Sequence, residues 1–178
     1  MNSVKKQTLI PALAVLAALL LGACQGGSVD AVKVGDRSIS RTGLSQLTVG
    51  IVDDDNPLPG AASGDTTRQI ATQLVFTFAQ AQYLESLGVV MSQGARNDLE
   101  NQVAQNVILS TVDPTALDAV VTGQWIQEQQ LELLQTQEAA QGISEIFRRD
   151  VEVDSRIGVW VADQTAVIPN GAADQSNG

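Results

Sequence analysis

The sequence predicts a mainly α domain, with about four to five helices flanked by strands at its two ends, and three features predict it. Apolar residues recur at helical spacing through most of residues 66–138. Short stretches near residues 30 and 151 alternate apolar and polar side chains instead, which is the period of a strand. Clusters of Gly, Pro, Asp and Asn punctuate the joins between these runs.

The opening segment, 29–39, carries Val32 and Val34 on one face with Lys33 between them. Gly35-Asp36 interrupts it and Arg37-Ser38-Ile39 resumes it, so it reads as a small hairpin or as a strand ending in a turn. Ser40, or Thr42 nearby, can cap a helix over 42–52, in which Leu44, Leu47 and Ile51 share a face. Residues 53–64, rich in Asp, Pro and Gly, form a loop. Asp65 or Thr66 then opens the strongest helix of the chain, which runs to 87 with Gly88 in the position of a C-terminal cap. Ile70, Leu74, Phe78, Ala81 and Leu84 make one stripe, while Val75, Phe76, Tyr83 and Leu87 lie largely off it. A helix apolar around so much of its circumference is buried among others, which makes this the central core helix.

Ser92 caps a helix over 93–110 with the stripe Leu99, Val103 and Val107. Asp113-Pro114 starts another, with Asp as cap and Pro at the first helical position, expected to continue to 138. At 100° per residue, Leu117, Val120, Val121, Trp125, Leu131 and Leu134 fall on one side. Ile126 and Leu133 project from the other, where they either pack on a further helix or form an exposed apolar seam. A short last helix is expected over 143–149. Val151-Glu152-Val153-Asp154 alternates like a strand, Gly158-Val159-Trp160-Val161 follows, and Ile168-Pro169 lies behind it. Residues 170–178 are small and polar and read as a flexible tail.

The leader addresses the chain. Lys5 and Lys6 form a positive start, followed by an apolar run over 9–21 that falls short of the roughly 20 residues a spanning helix needs. The run closes on Leu21-Gly22-Ala23-Cys24, which resembles the lipobox of bacterial lipoproteins. The resemblance implies cleavage before Cys24 and lipidation of that cysteine. A diacylated residue carries the two chains that stable anchoring requires. The organisation expected is a lipoprotein signal peptide at 1–23, a tether at 24–28, the domain at 29–169 and the tail at 170–178. The protein is then extracytoplasmic and anchored to a bacterial membrane. Gln25 after the cysteine, rather than Asp, is compatible with outer-membrane sorting in a cell with two membranes.

Composition narrows the function classes. A net charge of −10, made more negative once Lys5 and Lys6 leave with the leader, repels nucleic acid and anionic head groups. A single Cys allows no intramolecular disulfide. With no His, neither a Ser-His-Asp or Cys-His site nor a His-containing zinc site can be assembled. No motif nominates a catalytic carboxylate pair, and no cofactor is expected. Asp53-Asp54-Asp55-Asn56 crowds carboxylates into one loop, but the glycine and the terminal glutamate of a calcium-loop spacing are missing. It reads as a solvated loop, and no metal site is expected.

The order of elements resembles the N-terminal chaperone domain of the SurA and PrsA family. The residues that carry the likeness are Val32 to Ser40, reading as strand, Gly-Asp turn and strand, and the closing Arg156, Gly158 and Trp160. Ser155 and Ile157 depart from the family's closing pattern. The resemblance implies a helical domain clasped by a small sheet in which the first and last strands come together. It also implies ATP-independent binding of unfolded or exported polypeptides. Many members carry a parvulin-type isomerase domain; the His residues typical of such a site are absent, and no isomerase activity is expected. Apolar surface between helices would form the binding face, with Phe76, Tyr83, Ile126 and Leu133 as candidate contributors, although core packing is the plainer account of each. The alternative is a structural or accessory envelope lipoprotein that binds one specific protein partner through the same fold.

Overall fold

Gly35 lets the chain reverse at its first turn: its φ of +58° suits the first central position of a two-residue hairpin, where side chains are strained. The computed structural model describes residues 30–51, 64–105 and 111–171. Strands β1 (Asp30–Val34) and β2 (Arg37–Ser40) pair antiparallel, with Val32 opposite Ile39 and Val34 opposite Arg37. On its other edge β1 pairs antiparallel with β3 (Val151–Val153), with Val32 opposite Val153 and Val34 opposite Val151. The sheet order is β2-β1-β3, so β1 meets the first C-terminal strand, but the last strands of the chain lie in a separate sheet and the expected pairing of first and last strands is not formed. Ala31, Val32, Val34 and Ile39 are fully buried, while Lys33 and Glu152 pair opposite each other at 3.7 Å.

Helix α1 (Arg41–Ile51) follows β2 without a linker. Of the two candidate caps it is Ser40 that serves, its Oγ accepting the Gly43 N–H at 2.9 Å. Helix α2 (Gly64–Ser86) is the central helix the sequence predicts, burying Ile70, Ala71, Leu74, Val75, Phe78, Ala79, Ala81 and Leu84. It packs against α1 and β1 and, later in the chain, against the segments 114–130, 137–149 and 166–168. Gly88, at φ +77°, ends it: the Val89 N–H reaches Leu84 O and the Gly88 N–H reaches Glu85 O, the two bonds of a Schellman motif.

Helix α3 (Gln93–Ala104) is capped by Ser92, which accepts the Ala95 N–H, and among its residues only Leu99 is buried. The described helix is shorter than the 93–110 expected, and Val107 lies outside the described residues. Helix α4 (Pro114–Trp125) begins as predicted, on Asp113 and Pro114. The single helix expected to 138 is not formed. A π turn (Ile126–Gln130) interrupts it, α5 (Leu131–Leu134) adds one turn, and the chain then breaks at Gln135 and Thr136. A π turn adds a residue to the cycle and shifts the phase of all that follows. Leu131, on the core side by an unbroken 100° step, is therefore exposed.

Helix α6 (Gln137–Arg149) replaces the short 143–149 helix of the sequence reading. Thr136 caps it, accepting the Ala139 N–H at 3.1 Å. Ala139, Ile143, Ile146 and Phe147 form its buried stripe. Among the described residues the α-helices thus number six rather than four or five. Beyond β3, strands β4 (Val159–Val161) and β5 (Ala166–Ile168) form a separate hairpin. It is held by the Val167 N–H on Thr72 Oγ1 at 2.9 Å and by Trp160 Nε1–H on the Phe147 carbonyl at 2.9 Å. Phe76, Phe147 and Trp160 pack edge to face or tilted, with centroids 4.9 to 6.4 Å apart. Gly158 sits against β5 so closely that a Cβ would lie 2.3 Å from Ile168 O.

The apolar interior falls into two clusters. The larger joins the three-stranded sheet, α1, α2, α6 and Ala116 and Ala119 of α4. The smaller gathers Ala81, Leu84, Leu99, Val121, Trp125 and Ile126. Between β2 and the helices, Arg37 reaches Glu85 at 2.6 Å, Asp118 at 3.2 Å and Thr122 at 3.3 Å, and Arg96 pairs with the same Asp118.

Candidate functional site

Where α1, α2 and α4 converge, their packing leaves an open groove of about 670 Å³. That volume is within the range of ligand pockets. Its apolar surface comes from Leu47 of α1, Ile70 and Leu74 of α2, Val112, and Ala116, Leu117, Ala119 and Val120 of α4, with Val103 of α3. Its polar residues are all neutral: Gln46, Gln73, Thr77, Thr111, Gln124 and Gln127. No carboxylate, Lys or Arg is among the described residues lining it, although the chain carries a net charge of −10.

One end is built rigidly. Gln46 bridges α1 to the entry of α4, donating from Nε2 to Thr111 O at 3.0 Å and accepting the Asp113 N–H on Oε1 at 2.7 Å. Asp113 in turn caps α4 through the Thr115 N–H at 2.9 Å, and takes the hydroxyl protons of Thr115 and Ser40. Thr115 Oγ1 accepts the Ser40 N–H at 2.9 Å. The caps of α1 and α4 are thus one hydrogen-bonded unit. Gly43 makes room for it, since a Cβ there would lie 2.8 Å from Thr115 Oγ1. Burial pulls the Asp113 carboxyl upward, but the Thr115 and Ser40 hydroxyls and the N–H groups of Thr115 and Ala116 outweigh it and hold it below its ordinary value.

The far wall is less settled. Gln124 lines the groove, yet its Oε1 is buried and has no hydrogen-bond partner among the described residues. Gln127 stands one turn on, inside the π turn that sends Ile126 into the smaller core. Gly123 leaves space here: a Cβ would meet Thr77 Cγ2 at an ordinary 3.8 Å.

The four candidate contributors lie elsewhere. Phe76 is in the aromatic group with Phe147 and Trp160. Tyr83 packs on α6, where a Cβ on Gly142 would come within 2.5 Å of its ring. Ile126 is 3% exposed within the smaller core, and Leu133 is 44% exposed on α5. None of the four lines the groove, and they do not converge on one surface. Leu47, Ile70, Leu74, Val103, Leu117 and Val120 line it from positions expected on helix stripes, whereas Gln46, Gln73, Gln124 and Gln127 carry no expectation from the sequence. The available signal was a run of neutral amides on faces where Lys and Glu are the usual choice.

Two features lie outside the description. Leu21 to Cys24 and Asp53 to Asn56 both fall outside the described residues. Among the described residues no cluster of acidic or Cys side chains could hold a metal ion, and no helix is long and apolar enough to cross a membrane. Compared with known proteins, the chain matches no family model, no curated protein and no solved structure.

Proposed function

We propose that the chain is an extracytoplasmic lipoprotein, anchored through Cys24, whose domain holds unfolded or exported polypeptides without ATP. The observation that carries the reading is the groove: largely apolar, without a charged side chain among the described residues lining it, and open between helices of an acidic chain. An extended segment of an unfolded protein offers apolar side chains and neutral amides, and both are matched there. The surrounding negative charge keeps the tethered domain soluble beside its client. The pairing of β1 with β3 is in keeping with the SurA/PrsA-like reading, which implies a sheet joining the N- and C-terminal segments, although the last strand, β5, pairs with β4 instead.

The test is aggregation of an unfolded exported protein in the presence of the full chain carrying Cys24→Ser. Slowing at stoichiometric ratios across several clients is expected. Thr77→Lys and Val120→Glu, which place opposite charges in the groove, should both remove it. No protection for any client sinks the chaperone reading, and stoichiometric capture of one envelope protein alone would favour the accessory-lipoprotein alternative.

A further inference from the structure

The end of the closing hairpin carries chemistry that neither the fold nor the groove uses. Asn170 and Gly171 form an exposed turn directly after β5 and Pro169. An asparagine followed by glycine can react with its own backbone: the main-chain nitrogen of the glycine attacks the side-chain carbonyl carbon and closes a cyclic imide. Bulk on the following residue, a hydrogen bond on its N–H, and burial away from water all slow that attack. Gly171 has no side chain, and a Cβ in its place would meet nothing within 4 Å. Its φ of +90° is one that glycine adopts without strain. Its N–H has no backbone acceptor among the described residues. The restraint lies instead on the Asn170 amide, whose Nδ2 donates to Ser155 O. That bond fastens the end of β5 to the turn that follows β3.

We propose that Asn170 is a site of spontaneous deamidation, and that its conversion unfastens the end of β5 from the turn after β3. The Gly171 nitrogen gives up its proton and bonds to Asn170 Cγ; the Cγ–Nδ2 bond breaks and the side-chain nitrogen leaves as ammonia. Water then opens the imide at either carbonyl, leaving aspartate or isoaspartate. The net reaction consumes a water and releases an ammonia, and needs no oxidant, metal or enzyme. Either product has a carboxylate where the amide stood. A carboxylate has no proton to donate, and it meets the lone pairs of Ser155 O instead. Isoaspartate also lengthens the main chain by a carbon between Pro169 and Gly171. The strands are placed to feel the change. Gly158, which ends the same turn, sits against Ile168 O, and Trp160 pairs with Val167 across β4 and β5.

The experiment incubates the full chain in mildly alkaline buffer, folded in detergent and unfolded in urea. Tandem mass spectrometry locates the conversion at Asn170 rather than at Asn177, which also precedes a glycine. The folded chain is expected to convert at Asn170 about fivefold more slowly than the unfolded one, the cost of breaking one exposed hydrogen bond. Asn170→Gln should suppress the reaction, because ring closure from the longer side chain is slow. Freshly prepared Asn170→Asp is expected to lower Tm by about 3 °C and to change the tryptophan emission. A folded chain that keeps Asn170 intact while the unfolded chain is converted overturns the proposal. Conversion in the folded chain, with Asn170→Asp at wild-type Tm and emission, overturns the unfastening and leaves the modification site standing.

Discussion

Asp113→Ala tests how the rigid end of the groove is held. The carboxylate accepts the Thr115 N–H and hydroxyl on one oxygen and the Ser40 hydroxyl, at 2.9 Å, on the other. Losing a helix N-cap costs about 1 kcal/mol. Ser40 is buried, and its hydroxyl would then have no acceptor, which adds about 1–2 kcal/mol. The expected loss is therefore about 2–3 kcal/mol, a sizeable part of the roughly 5–15 kcal/mol of a typical domain. Urea unfolding followed by the fluorescence of Trp125 and Trp160 measures it. Because α1 and α4 share this unit, Asp113→Ala and Ser40→Ala should couple by about 1 kcal/mol in a double-mutant cycle. The pH dependence has a definite sign. The Asp113 carboxyl is lowered in the folded state, so its contribution is present above the unfolded value of about 4 and is lost as pH falls through the folded one. The deficit of Asp113→Ala relative to wild type should accordingly shrink under strong acid. A loss below about 0.5 kcal/mol, strict additivity with Ser40→Ala, or a deficit that does not change with acid would refute the shared-cap argument.

Three further outcomes are expected. Gly158→Ala puts a Cβ 2.3 Å from Ile168 O, so backbone must move; a loss of about 2 kcal/mol or more and a changed Trp160 emission are expected, and wild-type stability would show that β4 and β5 yield easily. Ile126→Ala should cost about 2–4 kcal/mol by emptying part of the smaller core, whereas Leu133→Ala, on an exposed turn, should stay within about 0.5 kcal/mol by thermal unfolding. Cys24→Ser should move the protein from the membrane fraction to the soluble fraction with an unchanged far-ultraviolet spectrum; retention in the membrane would refute the lipobox reading.

Local signals in the sequence were reliable where one residue decides one backbone event. Gly88 ends α2, Ser92 opens α3 and Asp113-Pro114 opens α4, because each supplies a φ or a hydrogen bond that other residues supply poorly. The stripe of α2 was legible because it repeats from Ile70 to Leu84, over about four turns. The failures lie where phase accumulates. An uninterrupted helix over 114–138 is the natural extrapolation of a 100° step, and nothing in Ile126-Gln127-Glu128-Gln129-Gln130 announces a π turn. Leu131 leaves the core side, while of the two residues expected opposite it Leu133 is exposed and Ile126 is buried. Thr136 was a usable cap signal, and the Ala139, Ile143, Ile146 and Phe147 stripe behind it marked α6 a full turn and a half before 143.

The groove was illegible for a different reason, and that reason bears on its use. Its lining comes from α1, α2, α3 and α4, separated by up to about 80 residues of chain, so no local window contains it. What α1, α2, α4 and the π turn do show locally is an amide where a surface ordinarily carries charge: Gln46, Gln73, Gln124 and Gln127. Glutamine on a helix face is neutral in propensity and is read as solvated by default. Brought together by the fold, the four surround apolar surface with donors and acceptors that carry no net charge. A surface meant only for water gains nothing from withholding charge in a chain with twice as many acidic as basic residues. A surface meant for a neutral main chain does gain, because each fixed charge would have to be desolvated without a partner. Gln46 is already committed to Thr111 and Asp113, whereas the Oε1 of Gln124 has no partner among the described residues.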